Sequence, residues 1–384
     1  MIAVLADDLT GAAEMGGLGW RHALAAEILH RGEPPADSKL LVYDSDSRHC
    51  SAAEARRRVR RILGRLQPRR PEWLFKKVDS VLRGHVLAEI ETALKILGLN
   101  RAILVPANPA AGRVIRDGNY FIHDRLIHET DFRNDPRHPR LFAQVSELIG
   151  RSRNLSPVVL NLKAKLPDHG LIVGEAATVA DVRAWAERVD DQTLAVGGAE
   201  FFRSLLLKNG CQQRVEKDAL RQSPGTRTLF VCGSLSDTAA SFLQQCRSKG
   251  WPVLLMPDTL LSDKRRTRSL RQKWVQQIIA ALKEHPQVVM GIGQPAGAGL
   301  HSAARLGALL TGAARRVLTE ARPEYAGVEG GATAALLTEK LGWRRLSIER
   351  EYATGVVGVS WPECPGLVLV AKPGSYAWPP DLLI

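Results

Sequence analysis

Two adjacent aspartates, Asp7 and Asp8, follow the short apolar run IAVLA at residues 2–6. Paired carboxylates at a strand end can bind Mg²⁺ through water, accept hydrogen bonds from substrate hydroxyls, or act as a general base. Asp8 also suits the N-cap of a following helix, and Thr10 and Gly11 suit a helix start that lies close to a ligand. A second cluster, FKKVDSVLRGH at 75–85, places Lys76, Lys77, Asp79, Ser80 and Arg83 within a few residues. Lysine and arginine in a strand-end loop suit a carboxylate or phosphate, and the aspartate beside them can take a proton from a hydroxyl. Neighbouring strand residues face opposite ways, so only one of Lys76 and Lys77 need serve the site. LLVYDSDSR (40–48) adds Asp46 and Arg48, and PANPAAGR (106–113) adds Asn108 and Arg113 on a pocket wall or a rigid connection.

A different chemistry is written in three small-residue turns: GSLS (233–236), GGAT (330–333) and KPGSY (372–376). Phosphate binding needs backbone N–H groups at a helix N-terminus or in a glycine-rich turn, and these three together suit a nucleotide. GIGQPA (291–296) follows an apolar run in the pattern of a dinucleotide loop, but no acidic residue stands about 20 positions on at a strand end. No GxxxxGK[ST], HExxH, GxSxG or CxxC occurs, which excludes a P-loop ATPase and leaves no structural metal site.

The elements that must position these residues read as repeated β-α units. IAVLA, LLVYD, WLFKK and RAILV are apolar runs that end in polar residues and lead into helix-like sequence, such as 51–66. Such units build a parallel sheet, and ligands bind beyond the carboxyl ends of its strands. Asp7, Asp8, Asp46, Arg48, Lys77, Asp79, Ser80 and Asn108 are thereby expected on one rim. Residues 113–140 read as a long loop with Gly118, Pro136 and Pro139. A polar stretch with Pro224-Gly225 separates a second series of β-α units. The expected organisation is an α/β protein of two domains, each a mostly parallel sheet flanked by helices. The first spans 1–206, a linker spans 207–226, the second spans 227–384, and the active site lies in the cleft between them.

The 384 residues are 45% hydrophobic and 24% charged, which excludes a disordered chain or a collagen-like repeat. No apolar run is long enough for a membrane span. The opening MIAVLADDLTGAAE lacks a positive n-region, and five scattered cysteines suit reduced thiols, so a cytoplasmic protein is expected. A net charge of +13 favours anionic partners. The arginine run ARRRVRRILGRLQPRR (55–70) has no interleaved aromatic residue and reads as a solvated helix face rather than a nucleic-acid surface.

ADDLTGA, DSDSR, KKVDSVLRGH, PANPAAGR and HETDFRNDPRHP (128–139), in this order and spacing, resemble the four-carbon acid sugar kinase (DUF1537) family. GSLSDTA, the GGAT segment and KPGSY resemble its C-terminal nucleotide-binding blocks. The resemblance implies ATP-dependent phosphorylation of the terminal 4-hydroxyl of threonate, erythronate or 3-oxo-tetronate, with Mg²⁺ accompanying the nucleotide. It implies an acid-sugar site of Asp7, Asp8, Arg48, Lys77, Val78, Asp79, Ser80 and Arg83. Arg48 or Lys77 would pair the carboxylate, and Asp8 or Asp79 would act on the hydroxyl. On the ATP side it implies Ser234, Ser236, Gly330, Gly331, Ala332, Thr333 and Gly374. The partners implied are the sugar acid and ATP, with no nucleic acid or membrane, and a homodimer is an open expectation. Three blocks depart from the family pattern: Ala332 replaces the acidic residue of GGET, KPGSYA replaces KSGNFG, and Glu175-Ala176 replaces an aspartate-alanine pair. The alternative reading is a member that binds a small acid without efficient phosphoryl transfer.

Overall fold

The computed structural model describes residues 1–30, 32, 38–135, 138–214, 226–262, 267–293, 303–363, 365–374 and 376–383. Pro136, Pro224-Gly225, residues 294–302 of the glycine-rich loop, Cys364 and Ser375 lie outside the described residues. The chain divides into two compact units, Met1–Arg214 and Val215–Ile384.

In the first unit, β1 (Ile2–Ala6) leads to α1 (Leu9–Arg21), β2 (Ala26–Leu29) and β3 (Leu40–Asp44). Then come α2 (Ala52–Leu66), β4 (Trp73–Lys77), α3 (Val86–Leu97) and β5 (Arg101–Val105). A small antiparallel sheet follows, of β6 (Arg113–Arg116), β7 (Asn119–Ile122) and β8 (Arg125–Leu126). The chain continues through α4 (Val145–Ile149), β9 (Pro157–Leu160), β10 (Gly170–Gly174), α5 (Val179–Glu187), β11 (Thr193–Gly197) and α6 (Ala199–Lys208). The main strands run β2-β3-β1-β4-β11-β5-β10-β9, every neighbouring pair parallel. Strands covered on both faces by crossover helices must be apolar throughout, and β1 and β3 are buried at every residue. Helix α2 forms because Ser51 caps it, accepting the Glu54 N–H at 3.2 Å, and because Ala55, Val59, Ile62, Leu63 and Leu66 recur on one face. That face joins Leu5, Leu41 and Ile90 in the core.

The expected long loop at 113–140 is therefore corrected. It holds the β6–β8 sheet, whose turns place Asp117, Gly118, His123 and Asp124 at positive φ.

The second unit holds β12 (Thr228–Cys232), α7 (Asp237–Ser248), β13 (Val253–Leu255), α8 (Thr259–Ser262), α9 (Thr267–Glu284) and β14 (Gln287–Gly291). It continues with α10 (Ala303–Ala321), β15 (Tyr325–Glu329), α11 (Gly331–Leu341), β16 (Arg345–Ala353), β17 (Val356–Ser360) and β18 (Val368–Lys372). The order is β13-β14-β12-β15-β18-β17-β16, parallel except for β17 against both β18 and β16. Both units are α/β with a mostly parallel sheet. In each, the strand order reverses around the first strand: β1 lies between β3 and β4, and β12 between β14 and β15. The crevice beyond the carboxyl end of such a strand is where this fold class binds ligands.

Candidate active site

Because β3, β1 and β4 are parallel neighbours, their carboxyl ends deliver Arg48, Asp7-Asp8 and Lys77-Asp79 to one rim. The guanidinium of Arg48 is the hub. Its Nε donates to Asp7 Oδ2 and its Nη2 to Asp7 Oδ1, both at 2.9 Å, a bidentate pair. Its Nη1 donates to Asp8 Oδ2, and its Nη2 lies 3.7 Å from Asp79 Oδ1. The Ser47 and Arg48 N–H groups donate to the Asp7 carbonyl, which fixes the loop that carries Arg48.

Asp8 does double duty. It is the N-cap of α1, its Oδ1 accepting the Gly11 N–H at 2.7 Å, while its other oxygen faces Arg48. Asp79 is far more committed. Arg83 grips both its oxygens at 2.8 and 2.9 Å, and the N–H groups of Val81 and Arg83 donate to Oδ2. Arg83 also reaches Asp135 at 3.1 Å, so the HETDFRNDPRHP segment is tied to the rim.

The two lysines part as strand alternation requires. Lys76 points away and is paired with buried Glu89 at 2.7 Å; Lys77 points to the rim and lies 3.2 Å from Glu14. Val78 contributes backbone, its carbonyl accepting from Lys77 at 3.0 Å while its side chain joins the core. Ser80 accepts from Arg113, and its carbonyl accepts from Tyr120 at 2.6 Å. Asp46 turns outward onto Arg58, and Asn108 pairs its backbone with Arg113. Glu14, Tyr120, Asp135 and Arg140, whose Nη1 donates to the Leu82 carbonyl at 3.0 Å, were not singled out in the sequence. Of these only Asp135 left a signal, as part of the HETDFRNDPRHP segment.

The electrostatics separate the two candidate aspartates. Burial raises Asp79, but Arg48 and Arg83 outweigh it and hold its carboxyl well below the usual range. Asp7 is lowered on the same balance, burial against Arg48. Asp8 goes the other way: burial, opposed by Arg48 and reinforced by the charge of Asp7, raises it to about 6. Lys77 is raised, its burial overcome by Glu14, Asp7 and Asp8.

In the second unit the three small-residue turns are laced together. Ser236 caps α7, accepting the Ala239 N–H at 3.2 Å, and its Oγ also donates to the Gly374 carbonyl at 3.2 Å. Ser234 accepts the Ser236 N–H at 3.2 Å. The Gly330 N–H donates to the Lys372 carbonyl at 2.8 Å. Gly233 is required by closeness, since a Cβ there would lie 2.0 Å from Thr333 Oγ1. Gly330 is required by its φ of +96. No side chain caps α11 and its first turn holds no acidic residue, so Gly331, exposed Ala332 and Thr333 present N–H groups suited to phosphate. Below the turns, Lys372 and Glu329 are fully buried 3.5 Å apart, and Lys372 donates to the carbonyls of Pro373 and Tyr376. Sequence reasoning missed this pair. Among the described residues, no helix is long and apolar enough to cross a membrane.

A sugar-binding N-terminal domain matches residues 2–205, and a nucleotide-binding C-terminal domain matches residues 229–376. With the curated relatives, these two matches place the chain in a class, the two-domain carbohydrate kinases. The D-threonate kinase of Bordetella bronchiseptica is 28% identical, covering 98% of this chain and 94% of that protein. The 3-oxo-tetronate kinase of Brucella melitensis is 23% identical over 98% and 92% respectively. A Haemophilus influenzae protein of the DUF1537 family shares the fold, with a TM-score of 0.74 at 18% identity over 99% of this chain and 98% of that one. The chain belongs to the four-carbon acid sugar kinase family.

Proposed function

We propose that the protein transfers the terminal phosphoryl group of ATP to the 4-hydroxyl of a four-carbon sugar acid of the threonate, erythronate or 3-oxo-tetronate type. The observation that carries the mechanism is geometric: Arg83 and the Val81 N–H occupy both oxygens of Asp79, whereas Asp8 meets only Gly11 and Arg48, and its burial raises it to about 6. A general base works best when its pKa lies near the working pH, which assigns the base to Asp8. Asp79 and Asp7 act as the anionic frame that holds Arg48. Arg48, Lys77 and Arg83 present positive charge to the substrate carboxylate, and Ser80 with Arg113 meets its hydroxyls.

The nucleotide side rests on the fit of three glycine-bearing turns and the uncapped N-terminus of α11 to phosphate oxygens. Mg·ATP supplies the electrophilic γ-phosphorus and the cation that offsets developing charge. The acceptor's oxygen bonds to that phosphorus, the bond to ADP breaks, and Asp8 takes the hydroxyl proton. Ala332, where the family carries an acidic residue, adds no polar side chain at the start of α11.

The test is coupled ADP release with Mg·ATP against D- and L-threonate, D- and L-erythronate and their 3-oxo forms. Turnover on one acid is expected. ATP binding without turnover on any acid would overturn the substrate class, and absence of ATP binding would overturn the nucleotide site.

A further inference from the structure

A pocket of about 390 Å³ opens beside the carboxyl end of β3, and neither Arg48 nor Asp7 lines it. Its floor is the carboxyl end of β3, with Tyr43, Asp44 and Ser45. One wall is α2, where Arg58, Arg61 and Arg65 recur at spacings of three and four and so share a face. His30 closes the side. None of the arginines of this basic run contributes to the rim around Arg48.

Most of the charge in this pocket is already matched. His30 Nδ1 lies 3.1 Å from Asp44 Oδ2. Arg58 pairs with Asp46 at 2.9 Å and Glu54 at 3.0 Å, and donates to the carbonyls of Ser45 and Asp46. Two guanidiniums are not matched. Arg61 has no hydrogen-bond or ion-pair partner among the described residues, and Arg65 reaches only the Gly32 carbonyl at 3.2 Å. Glu54 is held on both oxygens by Arg57 and Arg58, so the lining offers two spare cations beside the carboxylate of Asp46, whose Oδ1 can still accept a hydrogen bond. A polyanion such as nucleic acid would be repelled by Asp46 and Glu54. A bare phosphate would leave that acceptor unused. A phosphate ester that also carries hydroxyls uses both, with the phosphate on Arg61 and Arg65 and a hydroxyl on Asp46.

We infer that this pocket is a binding site for a small polyol phosphate, distinct from the acid-sugar and nucleotide sites. It shares a wall with the former. Arg58 holds the backbone of Ser45 and Asp46, and the next two residues hold Asp7 and carry the hub guanidinium. A ligand whose hydroxyl bonds to Asp46 competes with Arg58 for that carboxylate and so shifts the loop from which Arg48 projects. If the kinase reading holds, occupancy changes KM for the sugar acid more than KM for ATP.

Calorimetric titration of the full-length protein with glycerol 3-phosphate tests the binding without reference to activity. Inorganic phosphate and glycerol serve as comparators. The wild type should bind glycerol 3-phosphate at least tenfold more tightly than either comparator. Arg61→Glu and the milder Arg61→Gln should each weaken binding at least tenfold while leaving the circular dichroism unchanged. Arg48→Ala, or saturation with Mg·ATP, should leave binding in place. The inference is overturned by no binding to the wild type, or by undiminished binding to both Arg61 variants, which would make the arginines a solvated helix face. Loss of binding in Arg48→Ala or under ATP would place the ligand in one of the kinase's own sites instead.

Discussion

Asp8 carries two loads that pull in opposite directions. As the α1 N-cap it needs only an acceptor oxygen, and asparagine serves that purpose nearly as well. As a base it needs a titratable carboxyl. Asp8→Asn should therefore leave the fold intact while lowering turnover by roughly 10²–10⁴-fold, the usual worth of a general base. In the wild type, kcat/KM for the acid should fall below a pH near 6, as Asp8 becomes protonated. Stability should move the other way. A carboxyl raised in the folded state favours folding at pH below its unfolded value near 3.8, and that contribution is lost as pH rises through about 6. Asp8→Asn removes the loss, so its melting temperature at pH 7–8 should match or exceed that of the wild type. A clear drop there would mean that the Arg48 contact outweighs the crowding of Asp7, Asp8 and Asp79. Asp79 has the opposite sign. Its lowered pKa stabilises the fold at pH above about 3.8 and ceases to do so as pH falls below that, and Arg83 depends on it. Asp79→Asn should cost stability, up to the roughly 3–5 kcal/mol of a broken buried pair, measurable by urea titration. Equal stability of the Asp79→Asn variant and the wild type would remove Asp79 from the frame.

Elements decide how such residues meet. The rim around β1 could be read in advance because its apolar runs end abruptly in charge: IAVLA gives way to Asp7-Asp8, and WLF to Lys76-Lys77. The partners of the two lysines could not, since Glu14 and Glu89 come from the packing of α1 and α3 and not from local pattern. The β6–β8 sheet escaped because its strands are two to four residues long, although Asp117-Gly118 is the sort of pair that closes a tight hairpin. The antiparallel pairing of β17 was hidden in the same way behind the β-α rhythm of what precedes it. In the second unit the small-residue turns were legible, but the Glu329–Lys372 pair beneath them was not. The fit of one turn on another is tight at Gly233. Gly233→Ala would drive a methyl group into Thr333 and displace the first turn of α11. It should raise KM for the nucleotide at least tenfold with little change in KM for the sugar acid. Equal changes in both constants would show that the turn is structural rather than a nucleotide contact.

At the scale of the whole molecule, the same device is used twice. Each unit reverses its strand order around its first strand, and each places its polar residues beyond that strand's carboxyl end. Asp7 and Asp8 occupy that place after β1, and Gly233 and Ser234 occupy it after β12. The chemistry differs because the loops differ. One rim is built from charged side chains around a guanidinium, which suits an acid bearing hydroxyls; the other is built from glycine, serine and uncapped backbone N–H groups, which suits phosphates. This division has a measurable consequence in the intact chain. Sugar acid should slow amide exchange in the segments that hold Arg48, residues 45–48, and Asp79, residues 78–84. The non-hydrolysable analogue of ATP should slow it at 233–239, 330–334 and 372–374. The two footprints should be separable, each ligand protecting its own unit first, because each site is assembled from hydrogen bonds internal to one unit. Nucleotide protection confined to 45–48 and 78–84 would reverse the assignment of the two rims.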